Sequence, residues 1–277
     1  MGRRIARVLA ILRLTWTSWA RRPATYVLLL SASALILAAP MMTSFSFGEE
    51  HRVAREMGLA TVTLCGLFLG VWGAGGAVGE DVERRTVPTL RVRPLRPAEF
   101  LLGKFLGIVS LVLLGTAALT AVLAGSLRLQ GAAAPAGPSG LILGGYLCFL
   151  QSAVLTAAAV ALSARLAFAS NAAVCLGLHI LGHWIGALPA MLAPAGGRAE
   201  IEAVGFPAAL VRWPAYGIVR ILSAAVPNLD GLDIGPTLHT GTRVPYTYVV
   251  AATGYAILFA GGALAFGVAV WTRRERA

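Results

Sequence analysis

Six long apolar stretches leave few folds open to this sequence. Each is about 20 residues or longer, the length that an α-helix needs to cross the hydrocarbon core of a bilayer. None shows the period-two alternation of a barrel strand, so we predict helices. The predicted spans are residues 23–46, 58–79, 101–126, 140–163, 171–191 and 246–271. The sequence therefore predicts an all-α membrane protein with six transmembrane helices, forming a single transmembrane domain over residues 1–277.

The basic residues orient these spans. If the N-terminus lies in the cytoplasm, about 16 basic residues fall on the inner side and about 7 on the outer side, which satisfies the positive-inside rule. Both termini are therefore predicted to be cytoplasmic. The net charge of +11 is assigned to the inner face and its anionic lipids. Only 13% of the residues are charged, against about 25% in soluble domains, so we expect no basic module that would bind nucleic acid.

Residues 1–22 predict an amphipathic helix in the inner membrane interface. Arg13 interrupts the first apolar stretch, and Arg21 and Arg22 precede the first span, which is unlike a cleaved signal peptide. On such a helix the arginines would face water. The side chains expected to face acyl chains are Leu9, Leu12, Trp16 and Trp19. The alternative is an ordinary basic leader to the first span.

The outer segments differ in length. Residues 49–56 are charged and are predicted to be a short loop, and residues 128–139 form a second loop rich in Ala, Gly and Pro. The longest outer segment is residues 193–245, where an apolar part is broken by Pro207 and Pro214. We predict short helices on the outer leaflet there. A seventh, broken span is the alternative, and it would place the C-terminal arginines outside.

Small residues and cysteines occur within the spans. Gly66 and Gly70 are spaced as a small-xxx-small pair, which lets helix backbones approach closely, either within one chain or between two copies. Cys65, Cys148 and Cys175 each lie in a predicted span. Their odd number and their depth argue against a disulfide framework, so we interpret them as packing residues.

A charged linker, residues 80–100, separates the second and third spans and is predicted to be cytoplasmic. Thr86 is a good helix N-cap, and Pro94 would end a helix over 86–93. Pro97 suits the first position of the next helix and Glu99 its first turn, where the dipole favours a carboxylate. A short charged helix at a membrane surface is typical of a docking site for a soluble partner. A generic basic loop is the alternative.

The charged linker resembles the cytoplasmic loop of ABC-2 type transporter permeases, the membrane subunits of ATP-driven exporters. The matching positions are Asp81, Glu83, Thr86, Pro94, Glu99 and the run Gly103-Lys104-Phe105-Leu106-Gly107. Two positions differ, because Arg85 stands where the family usually has Gly, and the arginine after Pro94 is Arg96. A second likeness is Val226-Pro227-Asn228-Leu229-Asp230 with Asp233, in the outer region before the last span.

The resemblance implies a permease that pairs with a second copy and with two separate ATPase subunits in a bacterial plasma membrane. The residues that would couple to the ATPase are Asp81, Glu83, Arg84, Arg85, Thr86, Arg91, Arg93, Pro94 and Arg96. Because the chain has no Gly-x-x-x-x-Gly-Lys-Ser/Thr phosphate loop, we expect no enzyme activity and no cofactor in this subunit. ATP and Mg²⁺ would bind to the partner.

A polar stripe runs along the fifth span and is independent of that resemblance. Asn171, Cys175, His179 and His183 follow one another at steps of four, which places them on one slanted helix face. Polar groups in lipid are costly and normally face other helices or a cavity. We interpret the stripe as part of the pathway or of a subunit interface, where its side chains would form interhelical hydrogen bonds or contact a metal or substrate. We assign no metal site to it.

Two other classes remain open. Ser139 in a Gly-Pro-Ser-Gly sequence, with His179 or His183 on a later helix, is similar to the serine and histidine of rhomboid-like intramembrane proteases. A channel or secondary transporter is the stronger alternative. It predicts activity without ATP and without an associated ATPase.

Overall fold

The computed structural model describes residues 2–43, 50–79, 97–131, 137–186, 217–220, 226–235 and 244–274. The long helices are α1 (Gly2–Ala20), α2 (Pro23–Thr43), α3 (Glu50–Ala74), α4 (Pro97–Leu129), α5 (Gly137–Leu162), α6 (Phe168–Trp184) and α7 (Tyr246–Arg274). A π-helical turn, Gly75–Gly79, continues α3. The chain forms two compact units, Met1–Cys175 with Asp233–Ala277, and Leu176–Leu232.

Five helices are long and apolar enough to cross a membrane, which makes the chain a multi-pass membrane protein. They are Pro23–Met41, Glu50–Ala77, Pro97–Leu129, Ser139–Leu162 and Tyr246–Arg273. The first four predicted spans and the last are thereby confirmed as apolar helices. The fifth predicted span, 171–191, corresponds to α6, which has 17 residues and is about 26 Å long at 1.5 Å per residue. Residues 187–191 lie outside the described part of the chain.

Parts of two predicted loops are the first turns of helices instead. α3 begins at Glu50, so residues 50–56 form its first turns rather than an outer loop. Arg52 Nε lies 3.3 Å from Glu56 Oε1, an i,i+4 pair that supports a helix, and Arg55 is buried. Ser139 likewise lies in the first turn of α5. Pro138 is tolerated there because its missing N–H has no intrahelical partner at that position.

Helices α3, α4 and α5 form the centre of the first unit. Among the most apolar 18 residues of each helix, the buried share is 67% in α3 and 78% in α5, against 22% in both α2 and α7. Small residues bring these helices together. A Cβ placed on Gly66 would lie 3.0 Å from both Ser152 Cβ and Thr116 Cγ2, and one on Gly70 would overlap Thr156. The pair predicted from the sequence therefore packs within this chain.

The contacts also give the helix directions. From Gly58 to Gly73 along α3, the neighbouring residue on α4 changes from Leu123 to Ile108, so the two helices are antiparallel. The π-helical turn at the end of α3 contacts α4 as well. Both ends of residues 80–96 therefore lie at one end of the bundle, which we call the linker end. It comprises the end of α3, the start of α4 and the elements packed against them.

α7 packs along α5 in the same direction. Tyr146 Oη lies 3.0 Å from Thr253 Oγ1, and since the Thr253 hydroxyl donates to Val249 O at 2.7 Å, Tyr146 is the donor of this interhelical bond. Further along both helices, a Cβ on Gly267 would lie 2.9 Å from Ala161 Cα. α7 therefore ends at the linker end.

Helix α1 runs alongside the first three turns of α4. The neighbouring residues are Arg7 and Glu99, Ile11 and Gly103, and Thr15 and Gly107. Each step is one turn on both helices, so the two are parallel. A Cβ on Gly107 would lie 3.0 Å from Leu12 O, which shows that the backbones approach closely.

The predicted lipid-facing side of α1 is only partly correct. Leu9 is 56% exposed, as expected of a residue that faces acyl chains, but Trp19 is 4% exposed. Arg22 lies over the Trp19 ring, 3.9 Å from its centroid, and Thr25 Oγ1 donates to Trp19 O at 3.0 Å. The prediction for Trp19 is therefore wrong, because the turn into α2 covers this side chain.

Candidate functional site

The nine predicted coupling residues, Asp81 to Arg96, lie outside the described residues. The structure does describe how the two ends of this segment are held. At the first end, Gly75 packs closely against the ring of Phe168, the first residue of α6. The same ring lies 6.2 Å from that of Trp72. Two aromatic side chains thus fix the point at which α3 ends.

The second end is the start of α4. Pro97 is its first residue and Glu99 lies in its first turn, as the sequence predicted. Residues 97–100 of the charged linker are therefore helical. Glu99 is buried, and Arg7 Nη1 lies 3.5 Å from Glu99 Oε2. This carboxylate is stabilised both by the helix dipole and by a basic residue of α1.

Phe100 connects the same turn to α7. Its ring centroid lies 5.9 Å from that of Trp271, with the planes tilted by 53°. Lys104 Nζ lies 5.4 Å from the Phe100 centroid, within the range of a cation–π contact. The first turn of α4 thus contacts both α1 and α7.

Sequence reasoning missed the contact with α1. Gly103 and Gly107 were noted only as part of a family pattern, whereas in the structure they form the surface on which α1 packs. Their spacing of four, which matches that of Ile11 and Thr15, is the signal that points to a helix–helix contact. The sequence does not indicate which helix provides the partner.

Basic side chains collect at the linker end. They are Arg7, Arg13, Lys104, Arg165 and Arg273, and Glu99 is the acidic residue among the described side chains of this end. Arg165 lies in the tight turn between α5 and α6 and is exposed. An electropositive surface therefore surrounds the points where residues 80–96 leave and re-enter the bundle.

The polar stripe begins with an interhelical hydrogen bond. Asn171 is fully buried, and its Nδ2 donates to Ala159 O of α5 at 3.0 Å. Cys175 Sγ donates to Asn171 Oδ1 at 3.5 Å. The interhelical bonding that we proposed for the stripe is confirmed at Asn171.

Replacing Asn171 with Leu should lower the free energy of unfolding by about 0.5–1.5 kcal/mol. The change removes the bond to Ala159 O and the acceptor of the Cys175 thiol. Thermal unfolding in detergent measures this loss of stability. Ala173→Leu, on the exposed side of the same helix, is the matched control and should leave the melting temperature unchanged. Equal melting temperatures for the two variants would contradict the role of this bond.

The two histidines lie in the second unit. Their ring centroids are 4.7 Å apart in an edge-to-face arrangement, and His183 Nδ1 donates to His179 O at 2.9 Å. Among the described residues, no group of three His, Cys, Asp or Glu side chains is placed to hold a metal ion. The two rings thus contact each other along one helix, and the His183 side chain bonds to the backbone of His179.

The second family-like segment packs on the end of α6. Leu229 is fully buried, its N–H donates to Gly182 O at 2.9 Å, and a Cβ on Gly182 would lie 2.7 Å from Leu229 Cγ. Asn228 Oδ1 accepts from Gly231 N at 3.2 Å and closes the 3₁₀ turn Asp230–Leu232. The Pro-Asn-Leu pattern thus has a local structural role. Asn228 stabilises the turn, and Leu229 packs against the helix surface at Gly182.

Cys65, Cys148 and Cys175 are buried and free, as predicted. Ser139 belongs to the first unit and the two histidines to the second, so the protease alternative stays a prediction. Of the long outer segment, residues 193–216, 221–225 and 236–243 lie outside the described part.

Comparison with models of known protein families and with curated proteins found no match to this chain.

Proposed function

We propose that the chain is the permease subunit of an ATP-binding cassette transporter of the ABC-2 type. The observation that carries the proposal is the position of the charged linker. Its central residues, 80–96, join α3 to α4 at one basic end of a multi-pass helical bundle. A segment with both ends held at the same end of the bundle is suited to bind a soluble partner there.

In the proposed mechanism two copies of the chain pair in a bacterial plasma membrane and two ATPase subunits dock below them. ATP and Mg²⁺ bind to the ATPase subunits, and closure on ATP moves residues 80–96. The charges of Asp81, Glu83 and Arg84 to Arg85 orient the partner, and the helix expected over residues 86–93 transmits the movement. This subunit forms the translocation pathway.

The topology supports the proposal. α3 and α4 are antiparallel, and α7 follows the direction of α5, so the end of α7 lies at the linker end with α1. This agrees with six spans and with both termini in the cytoplasm. The basic side chains at that end agree with the positive-inside rule and with contact to anionic lipids. The stripe from Asn171 to His183 is assigned to the pathway or to the interface between the two copies.

Purification of the full chain in detergent with its membrane lipids tests the proposal. We expect an ATPase with a Gly-x-x-x-x-Gly-Lys-Ser/Thr loop to co-purify in equal amount with the permease, and we expect ATP hydrolysis in the complex but not in the isolated chain. Flux through vesicles that contain the isolated chain, without ATP and without an ATPase, would contradict the proposal and favour a channel or secondary transporter.

A further inference from the structure

Two adjacent arginines, Arg21 and Arg22, form the turn between α1 and α2, which we call the α1–α2 corner. The Arg22 N–H and the Thr25 hydroxyl both donate to Trp19 O, at 3.2 and 3.0 Å. The Arg22 guanidinium lies 3.9 Å from the centroid of the buried Trp19 ring, and Arg21 is exposed. The backbone of the corner is therefore held in place, with positive charge at its surface.

Contacts on either side of the corner give its position along the bundle. Before the corner, Thr15 packs against Gly107 of α4. After it, Leu29 Cδ2 would lie 3.4 Å from a Cβ on Gly115. Because α1 runs parallel to α4 and continues beyond Thr15 to Ala20, the corner lies farther from the linker end than Gly107. The contact of Leu29 places it beside the part of α4 between the two glycines.

Exposed apolar side chains lie nearer to the linker end than the corner does. Phe266 of α7 is 61% exposed, and a Cβ on the next residue, Gly267, would lie 3.1 Å from Leu101 Cδ2 of α4. Leu102 is also exposed. Gly107 follows Leu101 by about 9 Å along the helix. If the bilayer core extends far enough to cover Phe266, the corner lies about 9 Å or more inside that core.

Charged side chains at this depth are costly unless they reach water or an anion. Helices α1 and α2 contain no acidic residue. Within the described ranges of the chain, no carboxylate forms an ion pair with Arg21. An arginine can extend toward the membrane surface, and the leaflet can thin locally so that headgroups approach the arginine. Both adjustments bring a guanidinium and a lipid phosphate together.

The residues around the corner are of the types found where headgroups meet acyl chains. Ser18, one turn before the corner, and Tyr26, one turn after it, are both exposed. Tyr is enriched at this depth of a membrane because its ring is apolar and its hydroxyl is polar. Farther out on the two sides, Leu14 and Leu30 are exposed. The corner is thus a polar patch between two apolar surfaces, which suits a molecule with an anionic head and acyl chains.

We propose that the α1–α2 corner binds the phosphate of an anionic phospholipid of the inner leaflet, which is drawn toward the bilayer midplane at this point. Arg21 and Arg22 pair with the phosphate, since a guanidinium presents parallel N–H donors to its oxygens. Ser18 and Tyr26 lie at the depth of the headgroup, and the acyl chains cover the apolar surface on either side. The leaflet is thereby thinned beside α1 and α2. The site is separate from the linker end and does not depend on the proposed function.

Spin-label accessibility in phosphatidylglycerol nanodiscs tests the depth of the site. The full chain is labelled at Ser18→Cys or at Phe266→Cys, which are exposed positions, while the three native cysteines are buried. We expect a water-soluble nickel complex to reach the Ser18 label and molecular oxygen to reach the Phe266 label, although Phe266 lies nearer to the linker end. In Arg21→Gln/Arg22→Gln the Ser18 label should lose access to nickel. A Ser18 label in hydrocarbon, or a Phe266 label in water, would overturn the proposal.

Native mass spectrometry of the full chain in detergent with phosphatidylglycerol tests the ligand. The parent should retain this lipid, and Arg21→Gln/Arg22→Gln should lower the affinity by more than about tenfold, because charge-assisted hydrogen bonds are lost. Arg21→Gln alone changes an exposed residue and serves as the milder variant if the double variant does not fold. The matched control, Arg165→Gln/Arg273→Gln, removes the same charge from exposed positions at the linker end and should keep the lipid.

The competing ligands distinguish a lipid site from general attraction of charge. Phosphatidylcholine has a phosphate but no net charge and should be retained less than phosphatidylglycerol. Equal retention of the two lipids, or equal loss of phosphatidylglycerol in the Arg21/Arg22 variant and in the control, would overturn the proposal. Displacement of phosphatidylglycerol by inorganic phosphate would show a general phosphate site and would overturn the assignment to lipid.

Discussion

Reversing Arg84 and Arg85 to Glu is expected to abolish docking of the ATPase while the membrane domain stays folded. Both residues lie in the charged linker, where the resemblance to ABC-2 type permeases implies a coupling element. Opposing like charges at an interface cost several kcal/mol. A loss of about 3 kcal/mol corresponds to a fall in affinity of about a hundredfold. Co-purification of the ATPase with the tagged permease measures this, and gel filtration in detergent checks that the permease is intact.

The matched control reverses two arginines outside the charged linker, one on α1 and one directly after it. Arg13 and Arg21 are exposed, and the variant Arg13→Glu/Arg21→Glu changes the net charge by the same amount. We expect it to weaken association only slightly, because it alters the long-range field and not the contact. Unchanged docking in the Arg84/Arg85 variant would contradict the coupling role of the linker. Equal loss in both variants would show that net charge alone governs association.

Replacing Gly66 with Leu is expected to destabilise the bundle strongly. Gly66 lies where α3 meets both α4 and α5, and even a Cβ there would lie 3.0 Å from Thr116 Cγ2 and from Ser152 Cβ. A longer side chain would force these helices apart. Over-packing of this kind typically costs about 1–3 kcal/mol. Because Gly66 lies at the centre of three helices, the loss of stability should reach or exceed the upper end of this range. We expect a reduced yield and a lower melting temperature in detergent.

Gly254→Leu is the control for this change. Gly254 lies on α7, and a Cβ there would meet nothing within 4 Å. Leu is also a better helix former than Gly by nearly 1 kcal/mol. The control should therefore keep or raise the melting temperature. Similar melting temperatures for the two variants would contradict the close packing of α3 against its neighbours.

Hydrophobicity alone predicted most of the helices correctly. The described residues of the stretches 23–46, 58–79, 101–126, 140–163 and 246–271 correspond to long apolar helices, because a chain in lipid must satisfy its backbone hydrogen bonds internally. The helix ends were less predictable. Charged residues 50–56 were interpreted as a loop, yet they extend α3, since local i,i+4 pairing allows a helix to continue beyond its apolar part.

The candidate site was predicted in part. Pro97 and Glu99 were placed correctly at the start of a helix from local rules alone. The partner of Glu99 was not predicted, because Arg7 is distant in sequence and no local pattern joins the two. Trp19 was assigned to lipid from the amphipathic pattern of α1. That pattern identifies an apolar face but does not distinguish lipid from protein as the apolar surroundings.

The sequence by itself determined that the chain is a multi-pass helical membrane protein, that a charged linker divides its second and third spans, and which end of the bundle carries the basic residues. These conclusions follow from hydrophobicity and charge, which depend only on residues close together in the sequence. Only the tertiary structure decided that α1 packs along α4, that Gly103 and Gly107 form its contact surface, and that Glu99 and Phe100 join the start of α4 to both terminal helices. The physical reason is that helix pairing in lipid depends on shape and on single polar contacts between distant residues, which lipid-facing hydrophobicity does not encode.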